Sequence, residues 1–239
     1  MHVELAGLLI VGLAIFTGAL VQGCIGFGAV VTAFAVVVLV EPDLLPQSVI
    51  ISTTPVVVAV FFQNRGSVLW GEALRLIVGR APGVAVGAFI VSRMSPVFLA
   101  YVGATVVLAA VLVTANIPPI QRNTPTLLTA GFASGLFGTA TGIGGPPLGL
   151  MYQHGAGVDL RATVGTVMLV GGAMTISGFA LAGELEAIDI RTGMALMPFS
   201  LAGVLTARAV HNWVDDRITR VVQIVSVAGA VLAIIRLSL

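Results

Sequence analysis

The chain has 239 residues and a formal net charge of +1; 58% of it is hydrophobic and only 9% is charged. A soluble domain of this size carries about a quarter of its residues charged to keep its surface wet, so the natural solvent is lipid, and the near-neutral balance gives no footing for a nucleic-acid partner. A single cysteine, Cys24, excludes an internal disulfide and any multi-cysteine metal site.

In a bilayer the backbone must be paired inside helices or a closed barrel. The apolar runs are long and lack the two-residue alternation of barrel strands, so helices are expected. Met1-His2-Val3-Glu4 lacks the basic start of a signal peptide, and the first apolar stretch is expected to be retained.

A membrane-spanning helix takes about 20 residues. The first apolar stretch, Gly7 to Val40, would be roughly 50 Å long as one helix, and Gly23-Cys24-Ile25-Gly26-Phe27-Gly28 interrupts its middle. Three ordinary spans follow: Leu44 to Gln63, Ala73 to Val91 and Val97 to Ala115. After a polar linker, Asn116 to Asn123, comes a second long stretch, Leu127 to Gln153, interrupted by glycines and prolines from Gly138 to Pro147. Spans Leu160 to Gly183, Ile190 to Val210 and Ile218 to Leu237 complete the chain. Glycine and proline cost about 1 and 3 kcal/mol in a helix interior, so each interrupted stretch is expected to be two half-length helices meeting at a mid-depth turn.

All eleven basic residues are arginines, and their distribution tests the course of the interrupted stretches. If both return to their starting side, Arg65, Arg75, Arg122, Arg161, Arg208, Arg217 and Arg220 share one face, against Arg93, Arg191 and Arg236 on the other. If both cross, the ten divide evenly. Cytoplasmic loops carry the arginine excess, which favours two hairpins, a cytoplasmic linker and both termini outside.

One offset relates the two halves. Adding 116 carries Gly26 to Gly142, Gly28 to Gly144, Asp43 to Asp159, Arg75 to Arg191 and Pro82 to Pro198 without a gap. The Asp, Arg and Pro matches carry weight because those residues are scarce. The expected fold is therefore an all-α polytopic membrane protein of two repeats, 1–115 and 126–239, joined by a linker at 116–125. Each repeat is a broken-helix hairpin plus three transmembrane helices. Three is odd, so the repeats are inverted, an architecture of transporters that bind substrate near the midplane.

A helix that starts inside the membrane presents unpaired N–H groups and partial positive charge. The second arms of both hairpins start at glycines, which allow close backbone approach, and the second also carries Pro146 and Pro147, which suit a first turn. Together they suggest an anion site; taken singly, such glycines serve close helix packing. Arg80 lies in the middle third of its span, with no acidic residue at comparable depth, and an embedded arginine faces a cavity or a partner. Its counterpart at the offset is Leu196, so the site is expected to be asymmetric. Gln22, Thr139 and Thr141 in the breaks, and Ser52, Thr53 and Thr54 before Pro55, are hydrogen-bond donors to an oxyanion or to their own helices. Cys24 reads as a small hydrophobe. No nucleotide loop, metal cluster or nucleophile–base pair appears, so neither an enzyme nor a cofactor is expected.

Gln-Gly-Cys-Ile-Gly-Phe-Gly in the first half and Gly-Ile-Gly-Gly-Pro-Pro in the second resemble the TauE/SafE family of sulfite and organosulfonate permeases over nearly the whole chain. The resemblance implies passage of a small sulfur oxyanion across a bacterial inner membrane, by export or uptake, with the pathway lined by Gly23 to Gly28 and Thr141 to Pro146. The candidate substrate residues are thus Gln22, Gly23, Gly26, Phe27, Gly28, Ser52, Thr53, Arg80, Thr139, Thr141, Gly142, Gly144 and Gly145. Expected partners are lipid and the anion, with a homodimer as a candidate assembly. A non-transporting membrane scaffold is the alternative, but a scaffold has no use for an unpaired Arg80 or two broken helices.

Overall fold

The computed structural model describes residues 5–116, 120–152, 157–210, 228, 231–232 and 235–236, and every regular element among them is helical. The first broken stretch becomes α1 (Leu5–Ile25) and α2 (Ala29–Val40). Next come α3 (Gln47–Ser52) and α4 (Thr54–Asn64), then α5 (Trp70–Val91) and α6 (Pro96–Asn116). The second broken stretch becomes α7 (Thr124–Thr141) and α8 (Gly145–Tyr152), followed by α9 (Gly157–Ala182) and α10 (Ala187–Val210). The expected span Ile218 to Leu237 lies almost wholly outside the described residues. Leu5–Ile25, Gln47–Ser67, Trp70–Val91, Gly157–Ala182 and Ala187–Val210 are each long and apolar enough to cross a bilayer. The chain is a multi-pass membrane protein.

The span expected at Leu44 to Gln63 is divided at Thr53 because Pro55, in the first turn of α4, has no N–H to continue the ladder. By contrast, Pro82 and Pro198 lie inside continuous helices. At the linker, Asn123 and Thr126 form a reciprocal capping box that starts α7, with Pro125 in its first turn.

Both broken stretches return to the end they came from. A Cβ on Gly7, near the start of α1, would lie 2.5 Å from Oε1 of Glu41, just past α2. Tyr152 ends α8 beside Arg122, which precedes α7, and both engage Glu72. The arms are not both half-length, however. α1 has 21 residues and α7 has 18, against 12 and 8 for α2 and α8. Each first arm stays helical through its inner glycines, Gly23 in α1 and Gly138 in α7 included, and breaks only where glycines take a positive φ at Gly26 and Gly142, so only the return arm is short. The breaks fall at one offset again: Ile25 and Thr141 end the long arms and Ala29 and Gly145 start the short ones.

The hairpins enter from opposite ends of the bundle. α1 starts beside α10 and runs parallel to it, from Gly12 on Phe199 to Cys24 on Ala207. α7 starts beside α5 and runs parallel to it, from Leu128 on Gly79 to Leu136 on Gly87. A Cβ would come within 2.2 Å of a facing carbonyl at Gly79, Gly83 and Gly131, and within 2.3 Å at Gly203, so these helices touch backbone to backbone. Each hairpin therefore leans on a helix of the other half, and the halves interleave in one bundle. Arg65, Arg75, Arg122, Arg161 and Arg208 lie toward the end where α7 starts; Arg93, Arg191 and Arg236 lie toward the other.

Candidate functional site

The breaks cross at the bundle's centre. Phe27, in the middle of the first, packs on Gly145 and Gly149 of α8. Its counterpart Ile143, in the middle of the second, joins the buried cluster of Val30, Phe34 and Val37 from α2. Each tip thus braces the other hairpin's short arm. Gly26, Gly28 and Gly142 have φ of 105°, 109° and 81°, a left-handed backbone that side chains rarely adopt. Gly144 is required for space instead: a Cβ there would lie 2.8 Å from the Ser134 carbonyl and 3.2 Å from Nη1 of Arg80.

Between the short arms is a cavity of about 50 Å³, lined among others by Gln22, Gly28, Thr53, Arg80, Gly142 and Gly144. No aspartate or glutamate lines it among the described residues. Arg80 is 3% exposed, as is Gln22. Nε of Arg80 and Nε2 of Gln22 are buried without a hydrogen-bond partner, a state that costs roughly 1–3 kcal/mol for each group. Nη1 of Arg80 donates to Oγ of Ser134 at 2.5 Å, and Ser134 donates to the Gly144 carbonyl at 2.6 Å. Sδ of Met168 accepts weakly from the same Nη1 at 3.8 Å. Oε1 of Gln22 accepts from the Ala29 N–H at 3.1 Å, capping α2.

The result is one buried guanidinium, two unpartnered donors and two nearby helix starts around a small space, an arrangement suited to an anion.

A family model described as "Sulfite exporter TauE/SafE" matches residues 10–234. The chain belongs to the TauE/SafE family. No curated protein and no solved structure matches it. TauE/SafE membership implies a membrane transporter of sulfite or related sulfur anions, and this family consists of permeases rather than enzymes.

Of the thirteen candidate substrate residues, Gln22, Gly28, Thr53, Arg80, Gly142, Gly144 and Gly145 meet at the cavity. Six do not. Gly23 faces Ala207 and Val204 on α10, and Gly26 lies against Leu160 and Arg161 beyond the cavity, because α1 runs past mid-bundle. Phe27 is a packing wedge. Ser52 donates to the Val49 carbonyl at 2.7 Å, and Thr141 to that of Phe137 at 2.8 Å, each filling its own helix's acceptor. Thr139 is wholly buried against Thr175, 3.0 Å away. The hydroxyls of Thr53 and Thr54 also bond carbonyls of α3, although both residues line the cavity.

Sequence reasoning missed Gly138, Met168, Gly172 and Thr175, which line the cavity, and Ser134, which fixes the arginine. Gly171 was missed too: a Cβ there would come within 2.0 Å of Nε of Arg80. The spacing of 168, 171, 172 and 175 marks one face of α9, on which Gly171 makes room for Arg80 while Gly172 faces open space.

Proposed function

We propose that this protein carries a small sulfur oxyanion, sulfite or a short sulfonate, through a site at the crossing of its two hairpins. The observation that carries the reading is Arg80, a buried cation with an unpartnered Nε in a cavity without a carboxylate. A desolvated charge is costly unless paired, and a mobile anion is the partner a transporter supplies. Gln22 adds a second donor, and the starts of α2 and α8 add partial positive charge. The cavity's size supports a small ligand. About 50 Å³ exceeds the 10–15 Å³ or so that one water needs but is too small for an aryl sulfonate.

In this reading the chain is two inverted repeats, 1–115 and 126–239, and opposite hairpins leaning on each other's halves form the frame of an alternating-access device. The arginine-rich end is cytoplasmic and both termini are periplasmic.

The test is binding and flux. Purified protein should bind sulfite and methanesulfonate by calorimetry, and vesicles containing it should move labelled sulfite. Organic cations should not compete. Absence of sulfite binding and of flux in folded protein would remove this reading.

A further inference from the structure

We propose that Ser134 is a positioning residue that gives the site its preference for polyatomic oxyanions over spherical anions, by fixing the plane of Arg80. The inference rests on the reading of the cavity as the anion site.

A guanidinium matches an oxyanion through a planar fork of donors. The match requires that the plane be held, because a side chain with many rotamers otherwise spends binding energy on being ordered. Around Arg80 the walls are mostly bare backbone. Added Cβ atoms would come within 2.0 Å of Nε at Gly171, 3.1 Å of Nη2 at Gly138 and 3.0 Å of Cγ at Gly135. Such walls confine the group sterically but do not orient it by hydrogen bonds. The strong directional restraint is the bond from Nη1 to Ser134, which is itself wholly buried.

Ser134 is anchored in turn. Its hydroxyl proton is committed to the carbonyl of Gly144, so its lone pairs face the guanidinium. This ties the arginine, which α5 contributes, to the break that starts α8. With Nη1 held and Nε against Gly171, the guanidinium is fixed in plane at the cavity wall, while Gln22 brings an unpartnered Nε2 to the same cavity from the other hairpin. A fixed guanidinium and an amide donor at separate points suit an ion with several oxygens. A halide has one centre and gains little from the plane being held.

The offset supports a role specific to this half. Ser134 stands where the first half has Gly18, whose added Cβ would lie 2.2 Å from the Ala29 carbonyl. The first hairpin is pinned by Gln22 instead, so a serine is not what closes a hairpin of this shape. The serine appears only in the hairpin beside the arginine.

The experiment measures sulfite Kd and the chloride concentration that competes with it, in the purified full chain and in Ser134→Ala and Ser134→Cys. Cysteine keeps the side-chain volume with only a weak donor and acceptor, so it serves if alanine lowers folded yield. The expected result is a sulfite Kd raised roughly tenfold, the scale of losing one charge-assisted hydrogen bond, with the chloride inhibition constant unchanged. Equal loss toward both anions, or no loss toward either, would overturn the role of Ser134 while leaving the site in place. Failure of the unsubstituted chain to bind sulfite would instead overturn the reading on which this inference rests.

Discussion

Gln22→Glu separates the site from its scaffold, because it replaces one NH₂ by oxygen at almost constant shape. In the native chain Oε1 caps α2 through the Ala29 N–H, and a carboxylate oxygen makes that bond equally well, with added gain from the helix dipole. The other half of the amide changes from an unpartnered donor to a negative acceptor beside a buried cation. A bound anion loses a hydrogen bond, about 1 kcal/mol for a neutral donor and up to about 3 for a charged ligand. It also meets a like charge. At a separation of ~6 Å and an effective dielectric constant near 20, that repulsion is about 3 kcal/mol. The sum, roughly 4–6 kcal/mol, lowers affinity by about a thousandfold or more. Stability should hold or rise, since the new carboxylate gives Arg80 a partner. The assay is calorimetry with methanesulfonate, which keeps its charge over the working pH range, beside thermal melting of the same samples. Acidification should return part of the affinity, because the introduced carboxyl, once protonated, is neutral and again a donor. Native affinity in folded Gln22→Glu at pH 7 would refute the placement of Gln22 at the anion.

Arg80→Ala should abolish sulfite binding in calorimetry while Arg80→Lys keeps a fraction, since lysine retains the charge but not the planar fork; unchanged affinity in the alanine variant would return Arg80 to a structural role. Gly144→Val and Gly28→Val should each stop transport in vesicles, the first by crowding the Ser134 carbonyl and Arg80, the second because φ of 109° costs a side chain about 1–2 kcal/mol. Gly12→Val meets the Phe199 ring at 2.8 Å, away from the cavity, so it should lower melting temperature and spare sulfite affinity. Reporter fusions should show both termini outside; cytoplasmic activity of an amino-terminal fusion would reverse the orientation.

The frame was largely legible in the sequence. Glycine and proline punctuate helices strongly, so breaks could be expected within Gly23–Gly28 and Gly138–Pro147 from residue type alone, but α1 and α7 stay helical through Gly23 and Gly138 and the breaks narrow to Gly26–Gly28 and Gly142–Gly144. Arm length was not legible. Apolar sequence on either side of a break looks alike, and nothing local says that α1 passes mid-bundle while α2 stops short. Within the site, Arg80 was visible because a charge is conspicuous in an apolar span. Met168 was not, because it looks like any apolar side chain of a span, and Ser134 and Thr175 were not, because hydroxyls occur in any membrane helix and usually bond their own backbone. Ser52 and Thr141 do so here. Which hydroxyl turns toward the arginine depends on the α5–α7 contact, a tertiary fact set by glycines that let two backbones touch.

The two hairpins also show how an almost symmetric frame yields an asymmetric site. Each long arm has one position seven residues before its last and another three before it. In the first hairpin these are Gly18 and Gln22; in the second they are Ser134 and Gly138. The polar group and the glycine are exchanged. Gln22 pins its break by accepting from Ala29, which leaves a donor at the cavity. Ser134 pins its break by donating to Gly144, which leaves an acceptor for the cation. Gly138 then clears the space that Arg80 fills, since a Cβ there would lie 3.1 Å from Nη2. Had the second hairpin kept a glutamine at 138, its side chain would occupy the guanidinium's place. Had the first kept a serine at 18, it would collide with the Ala29 carbonyl. The two hairpins set where the short arms meet, and these paired exchanges bring one cation and one amide donor to the same cavity.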